Sequence, residues 1–211
     1  MIMSGDTASL PDLQHVYALS PEAQKLLFTE AHTTYKFTDE PVSDDQLRAI
    51  YELLKWAPTG SNVSPLRILF VRSPEGKQRL LPHLTPPNKP QSDSAPVVAV
   101  LARDTEYTEH VPMLYPIVPG LREAYDARPE LRDDHGIFNA TLQAAYFVLA
   151  VRSVGLDAGP MKGFNPQGID EEFFPTGRWK SILVVNLGKA AEDGWRERDA
   201  RLDFEQVVDF A

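Results

Sequence analysis

Residues 137–164 read IFNATLQAAYFVLAVRSVGLDAGPMKGF, and this stretch does most to decide the fold. Its first part, to Val154, carries few charges and leaves little polar face, which predicts a long helix. A helix that is apolar nearly all round is buried, either in the centre of the molecule or at a subunit interface. Gly155 is a natural end for it, because glycine readily takes the left-handed conformation found after helices.

Three apolar runs outside this helix read as β-strands, and they cover residues 67–72, 96–102 and 181–187. The second run is almost continuously apolar, as expected of a strand covered on both faces. The irregular separations between strands and helices favour an α+β fold, or a mixed sheet with helices on both faces.

A second helix is predicted after Ser43, because Ser43 and Gln46 form a capping-box pattern. Four residues follow at helical spacing and predict one buried face: Leu47, Ile50, Tyr51 and Leu54. Pro58 should end this helix near Lys55 or Trp56. Residues 74–81 read as another helix and residues 85–93 as a loop.

The length of 211 residues suits one domain, which we place at residues 21–211 after a loose tail at residues 1–20. The N-terminus lacks the basic start and long apolar run of a signal peptide. No apolar stretch approaches the ~20 residues of a membrane span. We therefore expect no contact with a membrane.

Composition excludes several kinds of chemistry. The chain has no cysteine, so disulfides, thiolate metal sites and cysteine nucleophiles are excluded, and the protein fits the cytoplasm. The net charge of −9 argues against nucleic-acid binding and otherwise indicates solubility. The histidines form no i, i+4 pair and no HExxH motif, which argues against a zinc site.

Three loops could carry a ligand. Residues 56–65 (WAPTGSNVSP) place hydroxyls, an amide and a glycine between prolines, although a turn with local hydrogen bonds explains them equally simply and is favoured on composition alone. In residues 155–164, Gly159 and Gly163 would let the backbone come close to a ligand, although an ordinary glycine-rich connection explains them equally well. This segment matches neither a phosphate loop nor a dinucleotide fingerprint. Arg196, Arg198 and Arg201 could bind a phosphate, but interleaved acids also suit a solvated loop.

These loops occur together in an order that resembles the nitroreductase-like flavoprotein family, and within it the malonic semialdehyde reductases that form 3-hydroxypropionate in pyrimidine degradation. The resemblance runs from about residue 25 to the C-terminus. The matching stretches are KWAPT (55–59), NVSP (62–65), FVRSPE (70–75), APV (95–97), NATLQAAY (139–146), GLDAGPM (155–161), FFP (173–175), GRWKS (177–181) and RLDF (201–204).

The resemblance implies an α+β fold with a central, mostly antiparallel sheet, and an intertwined homodimer with FMN at the interface. It implies ping-pong hydride transfer from NADPH or NADH to a small aldehyde such as malonic semialdehyde, with nitroaromatics or quinones as further acceptors. The flavin would carry the chemistry, so no catalytic side chain is expected. The alternatives are a family member that binds flavin or another ligand without turnover, and a hydrolase built from scattered Ser, His and Asp residues.

The resemblance also assigns roles to residues. Pro58, Thr59, Ser61 and Asn62 would meet the flavin and its ribityl chain, and Asn88 would face the pyrimidine edge. Pro160, Met161, Lys162 and Gly163 would lie along N5, with the Lys162 or Gly163 amide donating to it. Arg201, with Arg198, would hold the phosphate. The family arginine expected within residues 31–37 is absent, and His32, Thr33 and Thr34 would stand in its place.

Overall fold

A computed structural model describes residues 13–211 as an α+β fold built on one antiparallel sheet. The strand order is β1-β2-β4-β3, and every neighbouring pair is antiparallel. This confirms the predicted class and the predicted antiparallel sheet. The strands are β1 (Leu66–Val71), β2 (Val97–Asp104), β3 (Asp157–Met161) and β4 (Trp179–Gly188).

Helices cover both faces of the sheet. They are α1 (Pro21–Gln24), α2 (Asp44–Leu54), α3 (Pro74–Leu80), α4 (Asn88–Ser94), α5 (Val111–Leu114), α6 (Leu121–Asp126), α7 (Pro129–Ser153), α8 (Pro166–Phe173) and α9 (Phe204–Val207). All eight residues of β2 are buried, and its side chains alternate between two cores. Helices α2 and α7 contribute to the first core, and α3 and α8 to the second.

The capping box of α2 forms as predicted. The Ser43 hydroxyl accepts from the Gln46 amide at 3.1 Å, and the Gln46 side chain accepts from the Ser43 amide at 3.0 Å. Leu47, Ile50 and Leu54 are buried. The prediction for Tyr51 was wrong, since its side chain points to solvent and is 55% exposed.

Two segments that were predicted to be loops contain regular secondary structure. Residues 85–93 were expected to be a loop, but α4 begins at Asn88, with Pro90 in its first turn, where the missing N–H has no intrahelical partner to lose. Residues 155–164 contain β3, an edge strand that tolerates Pro160 because one side of an edge strand makes no ladder bonds. Helix α7 also begins at Pro129, earlier than expected.

Helix α7 is buried on one side only. Ala140, Ala144 and Phe147 lie in the first core, whereas Phe138 is 64% and Tyr146 is 41% exposed. The other exposed apolar residues of its outer face are Ile137 and Leu142. The helix was predicted to be buried centrally or at a subunit interface. Its inner face lies in the core, and its outer face is apolar and exposed to solvent.

The tail predicted at residues 1–20 falls partly outside the described residues, which begin at Leu13. Residues 13–20 are exposed and contain one 3-10 turn, Gln14–Val16. Across residues 13–211, none of the helices has the length and apolarity that crossing a membrane requires. Over the same residues no cluster of three or more potential metal ligands occurs.

Candidate functional site

Strand β3 brings two of the predicted segments together. Thr33 bridges to Ala158 in a parallel sense, and the Thr34 amide donates to the Ala158 carbonyl at 3.1 Å. Gly159 allows this approach, because a Cβ at that position would collide with the Thr34 carbonyl oxygen. The His32–Thr34 segment therefore lies against the strand that leads into residues 160–163.

Asn88 lies at the end of the same strand. Its side-chain amide donates to the Gly163 carbonyl at 2.9 Å, and the Thr85 hydroxyl donates to the same oxygen at 2.9 Å. A Cβ on Gly163 would lie 2.6 Å from Asn88 Nδ2, so this close packing requires glycine. The structure thus joins two segments that are far apart in sequence.

The side chains of Met161 and Lys162 turn away from this loop. Met161 is buried, and its sulfur accepts from the Ser92 hydroxyl at 3.8 Å. The Lys162 ammonium donates to the Ile182 carbonyl at 2.8 Å and lies 5.2 Å from the Phe164 ring centre. Within residues 13–211, the amides of Lys162 and Gly163 have no protein acceptor, so the backbone is what this loop offers to a ligand. Pro160 before them is half-buried.

A cleft of about 530 Å³ opens beside His32, between residues 27–35 and residues 196–201. Four guanidinium groups and an imidazole line it, and we call this set the arginine cleft: His32, Arg152, Arg196, Arg198 and Arg201. The His32 ring stacks on Trp195 with centroids 5.8 Å apart. Arg198 Nη2 donates to the carbonyls of Thr29 at 2.9 Å and Ala31 at 3.0 Å.

Arg152 is the residue of this cleft that sequence reasoning missed. It is the one charged residue in the apolar part of α7, and a cation in the last helical turn is readily explained by the helix dipole. Only the tertiary fold brings it to Arg198. Lys36, another cation near His32, is instead paired with Asp193 at 2.7 Å.

Residues 58–64, within the loop predicted at residues 56–65, have a strained backbone that hydrogen bonds to other segments hold in place. We call them the left-handed loop. Ser61, Asn62 and Ser64 have positive φ values of 53°, 50° and 42°, a conformation that costs non-glycine residues energy. Thr59 Oγ1 accepts from the Ser64 amide at 3.3 Å. The Asn62 side chain donates to the Leu114 carbonyl at 3.0 Å.

Helix α7 supports the left-handed loop through Asn139 and His135. Asn139 Oδ1 accepts from the Gly60 amide at 2.7 Å, and its Nδ2 donates to the His135 carbonyl at 2.8 Å. A Cβ on Gly60 would lie 2.8 Å from His135 Nε2. The His135 ring lies between the hydroxyls of Tyr107 (3.5 Å) and Tyr125 (3.4 Å). Burial lowers the pKa of His135 and raises that of Tyr107.

Within a single chain, the left-handed loop and the arginine cleft lie far apart. The left-handed loop is fixed at Asn139, whereas the arginine cleft includes Arg152, thirteen residues further along α7. At 1.5 Å per residue, the two points are about 20 Å apart along the helix axis. The chain therefore carries two candidate half-sites, one beside the middle of α7 and one at its C-terminal end.

The sequence of this chain is similar to a known family model and to known proteins. Residues 29–189 match the model of the nitroreductase family. A Streptomyces coelicolor protein provisionally named NADH dehydrogenase/NAD(P)H nitroreductase is 52% identical over 190 residues, which cover 90% of this chain and 94% of that protein.

Solved structures share the fold. A Staphylococcus epidermidis protein provisionally named an NAD(P)H:FMN oxidoreductase superposes with a TM-score of 0.76 at 17% identity, over 92% of this chain and 98% of that one. A provisionally named nitroreductase from Exiguobacterium sibiricum, solved in complex with FMN, gives a TM-score of 0.74 at 18% identity, over 91% and 98% of the two chains.

Proposed function

Because the chain belongs to the nitroreductase family, we propose that it is an FMN-dependent NAD(P)H oxidoreductase that works as a homodimer by ping-pong hydride transfer. The observation that carries this proposal is the arginine cleft, which lies beside a glycine-containing backbone loop with free amides. Guanidinium groups match the oxygens of a phosphate monoester, and backbone amides match the polar edge of a flat ring. The donor set therefore fits a flavin nucleotide.

Each segment has a role in this proposal. Arg198 and Arg201, with His32, Thr33 and Thr34, bind the phosphate. Asn88 faces the pyrimidine edge, and the backbone of residues 160–163 lies along N5. Pro58, Thr59, Ser61 and Asn62 meet the ring and ribityl chain from the partner subunit. When bound, FMN supplies the hydride chemistry, and the protein binds it, orients it and excludes water.

The homodimer rests on the separation of the half-sites. A two-fold axis near the middle of α7 would set two copies of the helix antiparallel, so that the left-handed loop of one protomer meets the arginine cleft of its partner. The exposed apolar face around Leu142 and Tyr146 is suited to that contact. Burying it would remove the apolar surface that a lone protomer leaves in water.

An intertwined arrangement has two further supports. A groove of about 1080 Å³ runs along edge strand β1, and its lining residue Arg67 donates to the Ser64 carbonyl of the left-handed loop at 3.1 Å. The C-terminal segment, residues 203–211, is exposed and apolar, with Phe204, Val207 and Phe210 open to solvent. We propose that this segment of one protomer lies in the β1 groove of its partner, where an open strand edge offers backbone partners.

The acceptor is proposed on the sequence resemblance alone. It is a small aldehyde such as malonic semialdehyde, and the name of the Streptomyces coelicolor relative adds nitroaromatic compounds as candidates. The cysteine-free chain suits the reducing cytoplasm, where we expect it to act.

Purified protein should show flavin absorbance, and anaerobic addition of NADPH or NADH should bleach it. Reoxidation should then be compared among malonic semialdehyde, a nitroaromatic and a quinone, with the mass in solution measured alongside. Protein that binds no FMN would contradict the proposal. Bound FMN that neither nicotinamide reduces would favour a flavin-binding protein without turnover.

A further inference from the structure

Arg152 has the position and the free donors of a ligand-binding residue. It is half-buried in the last turn of α7, where it lines the arginine cleft. Its Nη1 donates to the Leu27 carbonyl at 2.9 Å, and over residues 13–211 no other hydrogen bond to this guanidinium is present. A guanidinium has five N–H donors, so most of them remain open to the cleft.

Within the described residues, the four arginines of the cleft form no direct ion pair with the protein, although Glu197 and Asp199 also line the cleft. Over residues 13–211, none of its four arginines has a carboxylate within 4.0 Å, although the chain carries a net charge of −9. Seven arginines elsewhere do have such a partner: Arg67, Arg72, Arg79, Arg103, Arg122, Arg132 and Arg178. Burial, and then the neighbouring Arg198, lowers the pKa of the Arg152 guanidinium. An anion between Arg152 and Arg198 would offset the repulsion between the two guanidinium groups.

Arg152 and Arg198 are arranged alike. Arg152 binds the carbonyl of Leu27, and Arg198 binds those of Thr29 and Ala31, so both are anchored on one short segment that leads into His32. Each is held through one part of its fork and leaves the remainder free. Two forks anchored side by side suit a group with three acceptor oxygens.

We propose that Arg152 is a phosphate-binding residue, which with Arg198 holds the phosphate of the flavin nucleotide in place of the arginine that this chain lacks within residues 31–37. This assignment rests on the proposed function. It places one phosphate ligand on the central helix, so that the helix carries a ligand of the phosphate at its C-terminal end and the support of the left-handed loop near its middle.

The test compares FMN with riboflavin, which has the same ring and ribityl chain but no phosphate. For Arg152→Ala, fluorescence titration should give an FMN Kd raised about 10- to 100-fold, as for loss of a charge-assisted hydrogen bond, and a riboflavin Kd within about twofold of wild type. Arg152→Lys should recover part of the loss, since lysine keeps the charge without the fork. Arg79→Ala, which removes the same charge from α3, should change neither Kd.

Each other outcome has a distinct meaning. An unchanged FMN Kd in Arg152→Ala would overturn the assignment and leave the proposed function standing. Equal weakening of FMN and riboflavin would also overturn it, because Arg152 would then only tie α7 to Leu27. Wild-type protein that binds neither flavin would overturn the proposed function and this assignment together.

Discussion

The arginine cleft lies at the C-terminal end of α7 and the left-handed loop beside the middle of that helix, and the two are built in opposite ways. In the part of the chain that the structure describes, none of the four arginines of the cleft has a carboxylate within 4.0 Å, and Arg152 and Arg198 are held only by backbone carbonyls. The loop is already satisfied by the protein, with Gly60 held by Asn139 and Asn62 held by the Leu114 carbonyl. The cleft therefore offers cationic donors, whereas the loop offers a fixed backbone conformation.

The contact between the two half-sites should be the easiest to break. Leu142→Arg places an unpaired charge on the outer face of α7, and burying such a charge costs several kcal/mol. We expect a monomer that has lost detectable affinity for FMN and for riboflavin alike. Size-exclusion chromatography with light scattering and a flavin titration would measure both. Leu53→Arg, at a similarly exposed leucine on α2, is the control; a dimeric Leu142→Arg that keeps its flavin would refute the arrangement.

A second substitution tests the backbone beside the arginine cleft. Gly159→Ala forces β3 away from Thr34, so the free energy of unfolding should fall by about 3 kcal/mol and FMN should bind more weakly. Urea unfolding would measure the change. Gly76→Ala, whose Cβ would lie 3.1 Å from Val71 Cγ1 and 3.3 Å from Ser73 Oγ and would meet no backbone atom, should lower stability less. An equal effect of both variants would count against the clash with the Thr34 carbonyl.

A third substitution tests the left-handed loop. Asn139→Ala leaves the Gly60 amide without its acceptor and should cost about 2 kcal/mol of stability. Because the loop is proposed to meet the ring and not the phosphate, FMN and riboflavin should weaken equally, unlike in Arg152→Ala. Asn139→Asp keeps an acceptor and should retain most of the binding. If Asn139→Ala weakened the binding of FMN but not of riboflavin, the proposed difference between the two half-sites would be wrong.

The smallest effect concerns the pH dependence of the loop support. Burial lowers the pKa of His135 in the folded protein, so the unfolded chain binds the proton more readily. Stability should therefore decline as the pH falls below the unfolded value of about 6.5 and level off below the folded one. Urea midpoints across this range would measure it. His135→Gln should lack this component of the decline; an identical profile would exclude His135 as its source.

Much of the fold could be predicted from short stretches of sequence. The capping box at Ser43, the run of β2 and the apolar length of α7 each depend on a few neighbouring residues, and each formed. The loop predicted at residues 85–93 and the missed strand β3 failed for a shared reason. Both contain a proline that reads as a breaker, and only the tertiary position, a first helical turn or a sheet edge, makes it tolerable.

The site divides in the same way. Local sequence was enough to select the candidate ligand-binding segments, because their glycines, hydroxyls and arginines can be recognised without the fold. Tertiary structure alone decided that Asn88 meets Gly163, that Arg152 joins Arg198, and that the left-handed loop lies about 20 Å from the cleft along α7. The physical reason is that contacts between distant residues depend on how the sheet and α7 pack, which no local pattern encodes.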